Sequence, residues 1–229
     1  MKKLFMLAAT CGMFLSASAQ HATEMEVNYF ESNSGYNIIG LSYDYTSLSG
    51  KNFSFADNES MGLNGFGVEY IHGFSLSSST PLFLELGAKI NMGFGKATDP
   101  EYKEDYAKVQ MLRVNVPVSL AYRYAFGSNM AITPFVGIDF RVNALARVND
   151  GDEYGWYSLF DKEEVGEDDT WNRFQMGWHL GARFEYEKFS LAVSGGTDFI
   201  KAFSYKDDED GYKSHVSTGN LAVTLGYRF

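Results

Sequence analysis

Arg173-Phe174-Gln175-Met176-Gly177-Trp178-His179-Leu180-Gly181-Ala182-Arg183-Phe184-Glu185-Tyr186 alternates from end to end. Phe174, Met176, Trp178, Leu180, Ala182, Phe184 and Tyr186 fall in one phase; Arg173, Gln175, Gly177, His179, Gly181, Arg183 and Glu185 fall in the other. A period of two marks a β-strand, because successive side chains leave opposite faces of the backbone. The run is also long for a strand, since strands of globular proteins usually span about 5–6 residues.

Working outward, seven further segments repeat the pattern, at about 36–46, 62–76, 81–95, 108–126, 130–146, 189–204 and 214–229. In 108–126 the apolar phase is Leu112, Val114, Val116, Val118, Leu120, Tyr122 and Tyr124, opposite Arg113, Asn115, Ser119, Ala121 and Arg123. The connections alternate in length: 77–80, 127–129 and 187–189 are tight, whereas 47–61, 96–107, 147–170 and 205–213 are long. Tight turns at one rim and long loops at the other describe an up-and-down β-barrel, and an even number of strands lets it close with no free edge.

Soluble and membrane barrels both alternate, so the deciding question is which face points inward. Glycine sits in the polar phase at Gly65, Gly67, Gly73, Gly87, Gly93, Gly137, Gly177, Gly181, Gly196 and Gly226, as a narrow interior requires and a solvated surface does not. The charges of that phase nearly balance: Asp44, Glu69, Glu85, Asp139, Glu185 and Asp198 against Lys89, Arg113, Arg123, Arg141, Arg173, Arg183 and Arg228. Balance inside an acidic chain suggests an ion-paired lumen, with the apolar phase facing lipid. The expected fold is all-β: a closed antiparallel transmembrane barrel of about eight strands over residues 36–229.

The N-terminus fits secretion. Lys2 and Lys3 precede an apolar run from Leu4 to Leu15 and the small-residue site Ala17-Ser18-Ala19, the three parts of a signal peptide. Residues 1–19 are expected to be removed, leaving a leader over 20–35. Cys11 is the only cysteine and lies in the signal, where Thr10 stands in the place a lipoprotein needs a small residue. The mature chain would then hold neither disulfides nor thiolate metal sites. Removing Lys2 and Lys3 leaves 17 basic against 29 acidic side chains, which argues against nucleic acid as a partner.

The last strand, Leu221-Ala222-Val223-Thr224-Leu225-Gly226-Tyr227-Arg228-Phe229, carries a family resemblance. With the eight-strand pattern it resembles the small outer-membrane barrels of Gram-negative bacteria, such as the OmpA membrane domain, the OmpX type and porin-like barrels. The resemblance covers architecture over 36–229. It implies that the barrel-assembly machinery reads Tyr227 and Phe229. Outer-membrane lipids and lipopolysaccharide are the expected partners, and a monomer is the expected state. No peptidoglycan-binding domain is expected after Phe229.

Chemistry is sparse. His215 and Ser217 share one face near the outer rim and resemble the His-x-Ser pair of the lipid A deacylase PagL, a family that also needs a glutamate. No acid follows Ser217, and a neighbouring strand would have to supply Asp198. His179 reads as a structural lumen residue. The acidic loop around 149–169, with the acid runs 99–105 and 207–210, reads as solvated loops, as carboxylates bridged by divalent cations to lipopolysaccharide phosphates, or as a docking surface. Pro117 and Pro134 fall inside strands, each removing a ladder donor. The expected role is a non-enzymatic barrel with a charge-plugged lumen and no cofactor or metal; the alternatives are a lipid A-modifying enzyme or a narrow channel.

Overall fold

The computed structural model describes residues 35–51, 60–98, 106–127, 129–149, 155–161, 171–206 and 213–229. The expected signal segment and leader (residues up to 34), the acid runs 99–105 and 207–210, and most of the acidic loop (150–154 and 162–170) lie outside the described residues.

Eight long strands form the wall: β1 (Tyr36–Lys51), β2 (Ser60–Ser75), β3 (Leu82–Thr98), β4 (Tyr106–Tyr122), β5 (Met130–Asn149), β6 (Phe174–Tyr186), β7 (Phe189–Asp198) and β8 (Lys213–Arg228). Short strands Tyr124–Phe126 and Phe203–Lys206 prolong β4 and β7, and Tyr157–Ser158 pairs with the outer end of β5. Each stave pairs antiparallel with its sequence neighbour, and β1 closes on β8 from Ile38↔Arg228 to Lys51↔His215. Every wall strand therefore has a partner on both sides, which a barrel in hydrocarbon requires.

The phases point as the lumen glycines indicated. Leu41, Phe66 and Leu225 face outward at 67%, 71% and 67% exposure, whereas Glu85, Arg113 and Arg183 face inward at 3%, 2% and 2%. An apolar exterior around a charged interior is the inverse of a water-soluble barrel and the arrangement of a transmembrane one.

Several sequence expectations need correction. The outer ends of the strands extend beyond the alternating segments: β1 reaches Lys51, β2 starts at Ser60 and β5 runs to Asn149. At these ends the inward phase changes from charged to apolar, so a search for polar-inward strands stops short. Pro117 and Pro134 also find an account. The β3–β4 register runs from Leu86↔Val118 to Lys89↔Asn115 and skips the pairs opposite Pro117, and a Cβ on Gly87 would stand 2.7 Å from Pro117 Cγ. Glycine thus leaves room for the ring. Pro134 lies where β4 pairing with β5 lapses between Ala121↔Phe135 and Tyr124↔Ile132. Both missing N–H groups fall where the ladder is already interrupted. A bulge does occur, but at Ala144, between Leu112↔Leu145 and Arg113↔Asn143.

Candidate functional site

Strand register stacks the inward residues into layers. At the end with the tight turns, Tyr36, Ile38, Phe83 and Ala121 pack together with Ile71 and Phe135. Just above them Arg183 donates twice to Glu85 (2.6 and 3.2 Å), and the Tyr36 hydroxyl also donates to Glu85. Glu185 accepts from Arg123 (3.0 Å), Arg228 (3.2 Å) and Thr133 (3.0 Å). Arg183 lies over the Phe135 ring and Arg228 over the Tyr36 ring.

The middle layer borders a cavity of about 100 Å³ lined by charged and apolar side chains together. Lys89 Nζ lies 2.5 Å from Asp44 and 3.9 Å from Glu69, and Asp44 also accepts from Ser42. Arg141 donates to Asp198 (2.6 Å) and to Asn115 (3.1 Å). Arg113 donates to Thr46 (2.6 Å), with no carboxylate in ion-pair range among the described residues.

His179 belongs to this layer and is more organised than the sequence indicated. Ser119, Gly137 and His179 occupy one row across β4, β5 and β6. Because Gly137 has no side chain, Ser119 Oγ and His179 Nε2 meet over it at 2.7 Å. His179 Nδ1 lies 3.1 Å from Asp139 Oδ2, poorly aligned for a hydrogen bond. These are the distances of a nucleophile, base and orienting acid. Inward phase could be read from the sequence for all three; their common height could not, because it depends on the register of three strands.

The outer end holds a feature the sequence reading missed. Leu48, Met61, Val109, Leu159, Trp171 and Phe203 belong to one apolar cluster inside the barrel mouth. Leu159 and Trp171 come from the long connection between β5 and β6, and Trp171 N–H donates to Leu159 O at 3.3 Å.

Two predicted sites move. Arg173 leaves the lumen network: it precedes the first residue of β6, is exposed, and lies with its guanidinium 4.2 Å from the Phe160 ring centroid. His215 and Ser217 share a face, as their spacing requires, but that face is the exterior, in phase with Leu221 and Val223. Asp198 is inward and held by Arg141, so the wall separates it from Ser217, which instead accepts from Lys201 Nζ at 2.8 Å. Tyr227 and Phe229 are both exposed, at 40% and 62%, at the tight-turn end of β8.

The chain is a transmembrane β-barrel. No family model and no curated protein matches it. Among solved structures it is similar to Ail, the attachment invasion locus protein of Yersinia pestis, in complex with the heparin analogue sucrose octasulfate, at 12% identity over 86% of this chain and 99% of that one, with a TM-score of 0.45. It is also similar to the outer membrane protein OprG from Pseudomonas aeruginosa (11% identity, 85% and 96% of the chains, TM-score 0.46) and to the outer membrane protease OmpT from Escherichia coli (11%, 86% and 97%, TM-score 0.41). Such distant likeness transfers none of their binding or catalytic properties to this barrel.

Proposed function

We propose that this chain is a monomeric, non-enzymatic outer-membrane barrel with a closed lumen, whose external rim and loops make its contacts with the cell envelope and surroundings. The observation that carries this reading is the filling of the interior: six inward acids face six inward bases once Arg173 is set outside, and the apolar cluster around Leu48 and Trp171 occupies the mouth above them. Eight strands enclose a lumen that side chains just fill, and dewetted apolar constrictions block ions. Purified full-length protein in planar bilayers should show no stepwise conductance; regular single-channel steps would refute the closed lumen. In this reading the barrel-assembly machinery is the partner during insertion, acting on the strand that ends in Tyr227 and Phe229.

A second reading, hydrolysis at Ser119, is favoured by the Ser119–His179–Asp139 geometry alone. Acyl transfer also needs a path for substrate and donors aimed at the developing oxyanion, and the residues around the cavity are tied into the wall and the ion pairs. A fluorophosphonate probe should therefore leave Ser119 unlabelled. A probe-sized mass increase on the peptide carrying Ser119, lost in Ser119→Ala, would reverse that choice.

A further inference from the structure

The wall closes without the two side chains that seal its mouth. All eight strands have partners on both sides, and Leu48, Met61, Leu63, Met111 and Val216 turn apolar side chains inward at the long-loop end. What covers them comes from the connection between β5 and β6: Leu159 is 6% exposed and Trp171 9%. Tyr157 and Ser158 pair with Val148 and Arg147, Leu159 N–H donates to Ala146 O at 2.9 Å, and Asn172 N–H donates to Ala202 O at 2.7 Å. Asn143 Nδ2 donates to Asn172 O at 3.0 Å, and the Trp171 ring lies 5.9 Å from that of Phe203. None of these contacts belongs to the ladders joining the eight wall strands.

Beneath this apolar cluster stands a charge. Arg113 follows Met111 by two residues on the same face of β4 and is 2% exposed. Its Nη2 donates to Thr46, its Nε meets no acceptor, and no carboxylate among the described residues comes within ion-pair range. The Asn220 amide is turned elsewhere: in the orientation that satisfies both its ends, the oxygen accepts from Arg141 at 3.2 Å and the nitrogen donates to Thr46 at 3.2 Å. Gly93 marks the boundary, since a Cβ there would stand 3.5 Å from Leu63 Cβ and 3.8 Å from Arg113 Nη2. The cluster therefore borders a guanidinium that it keeps from water at the mouth.

These two features oppose each other. Burying one large apolar side chain favours the plugged mouth roughly 10–100-fold, and a buried guanidinium donor without an acceptor opposes it by a factor of roughly the same size. Such a balance puts a second local arrangement within reach of the first. We propose that Leu159 and Trp171 form a displaceable plug: the base of the connection leaves the mouth as a unit, water enters as far as Arg113, and the wall stays in place. Arg113 sets the position of this equilibrium, because its guanidinium gains hydration only when the plug is out. The inference rests on the closed-lumen reading and deepens it, dividing the seal into a movable apolar part above a fixed charged one. Opening wets the mouth without making a path for ions, since Lys89, Arg141 and Arg183 remain paired beneath it.

Cys11 is the only cysteine, so Cys11→Ser with Val216→Cys gives the full chain a single thiol, at a cluster position that is 0% exposed. The protein is refolded in neutral detergent and treated with a small charged methanethiosulfonate. Labelling should be slow and nearly independent of urea below the unfolding midpoint, because a local opening exposes little surface. L159S/W171S should raise the rate on the order of 100-fold, and R113M should lower it about tenfold. Heat-dependent gel mobility confirms that each variant is a folded barrel. A thiol placed instead by Ala131→Cys, inward and 0% exposed at the tight-turn end, should label at the same rate with and without L159S/W171S. A Val216→Cys rate that follows the urea slope of global unfolding would overturn the plug, and that measurement needs no substitution within it. An unchanged rate in L159S/W171S would also overturn it, as would an equal rise at Ala131→Cys. An unchanged rate in R113M would overturn the part assigned to Arg113. Conductance steps from the unsubstituted chain would instead refute the closed-lumen reading on which the plug rests.

Discussion

Arg183 shows how this interior constrains single residues. Its guanidinium is 2% exposed and its two bonds to Glu85 leave it no solvent to fall back on. Removing one member of such a pair leaves a buried charge without compensation, which costs about 3–5 kcal/mol, whereas replacing both with apolar side chains is often neutral. Glu85→Ala should therefore lower the unfolding free energy by about 3–5 kcal/mol in urea titrations of the vesicle-inserted barrel. Glu85→Leu combined with Arg183→Met should recover most of it; equal losses in the single and double variants would mean that the pair contributes nothing as a pair. Gly87 carries a steric counterpart. Its missing Cβ makes room for Pro117, so Gly87→Ala should destabilise by about 1–3 kcal/mol through overpacking. Gly87→Ala on a Pro117→Ala background should cost clearly less, because the ring it meets is gone.

At the scale of the strand, the two faces make opposite demands on the same substitution. Val116 and Leu180 are outward, at 39% and 52% exposure, and belong to the middle of the apolar belt. Arginine at either position should destabilise the barrel by about 2–4 kcal/mol, the effect expected at a lipid midplane, as measured by the shift in urea midpoint in vesicles; an unchanged midpoint at both would argue for water outside the wall. This scale is also where the sequence was most legible. Period-two alternation located all eight staves, and glycine in the polar phase identified the inside. The strand ends escaped because the inward phase turns apolar at Leu48, Met61 and Val109, so that polarity no longer separates the faces. Arg173 was misplaced because the phase of β6 was carried past its first residue, Phe174, to a position where the chain bends and the guanidinium turns to Phe160. For His215 and Ser217 the signal was present: both share the phase of Leu221 and Val223, which face lipid. The meeting of Ser119 with His179 over Gly137 was beyond any single strand, since pairing register is set by turn geometry and by the barrel's closure.

At the scale of the whole molecule, closure depends on one long-range pairing, β1 with β8, between opposite ends of the described chain. The last residue takes part through its backbone: Phe229 N–H donates to Asn37 O at 3.0 Å, and Asn37 N–H donates back to Phe229 O at 3.4 Å. Its ring, by contrast, is 62% exposed and faces away from the lumen. The two parts of Phe229 therefore separate two roles. Shortening the side chain leaves both closing hydrogen bonds available and removes an aromatic that contributes only surface contact. Phe229→Ala should thus change the unfolding free energy of the refolded barrel by less than about 1 kcal/mol, the range of a surface substitution that creates no cavity. In cells the same variant should accumulate far less in the outer-membrane fraction, because the proposed assembly signal is the aromatic itself. Quantitative blotting of membrane fractions beside urea unfolding of the refolded protein distinguishes the outcomes. Loss in both assays would make the ring a structural element of closure, and loss in neither would remove the assembly role.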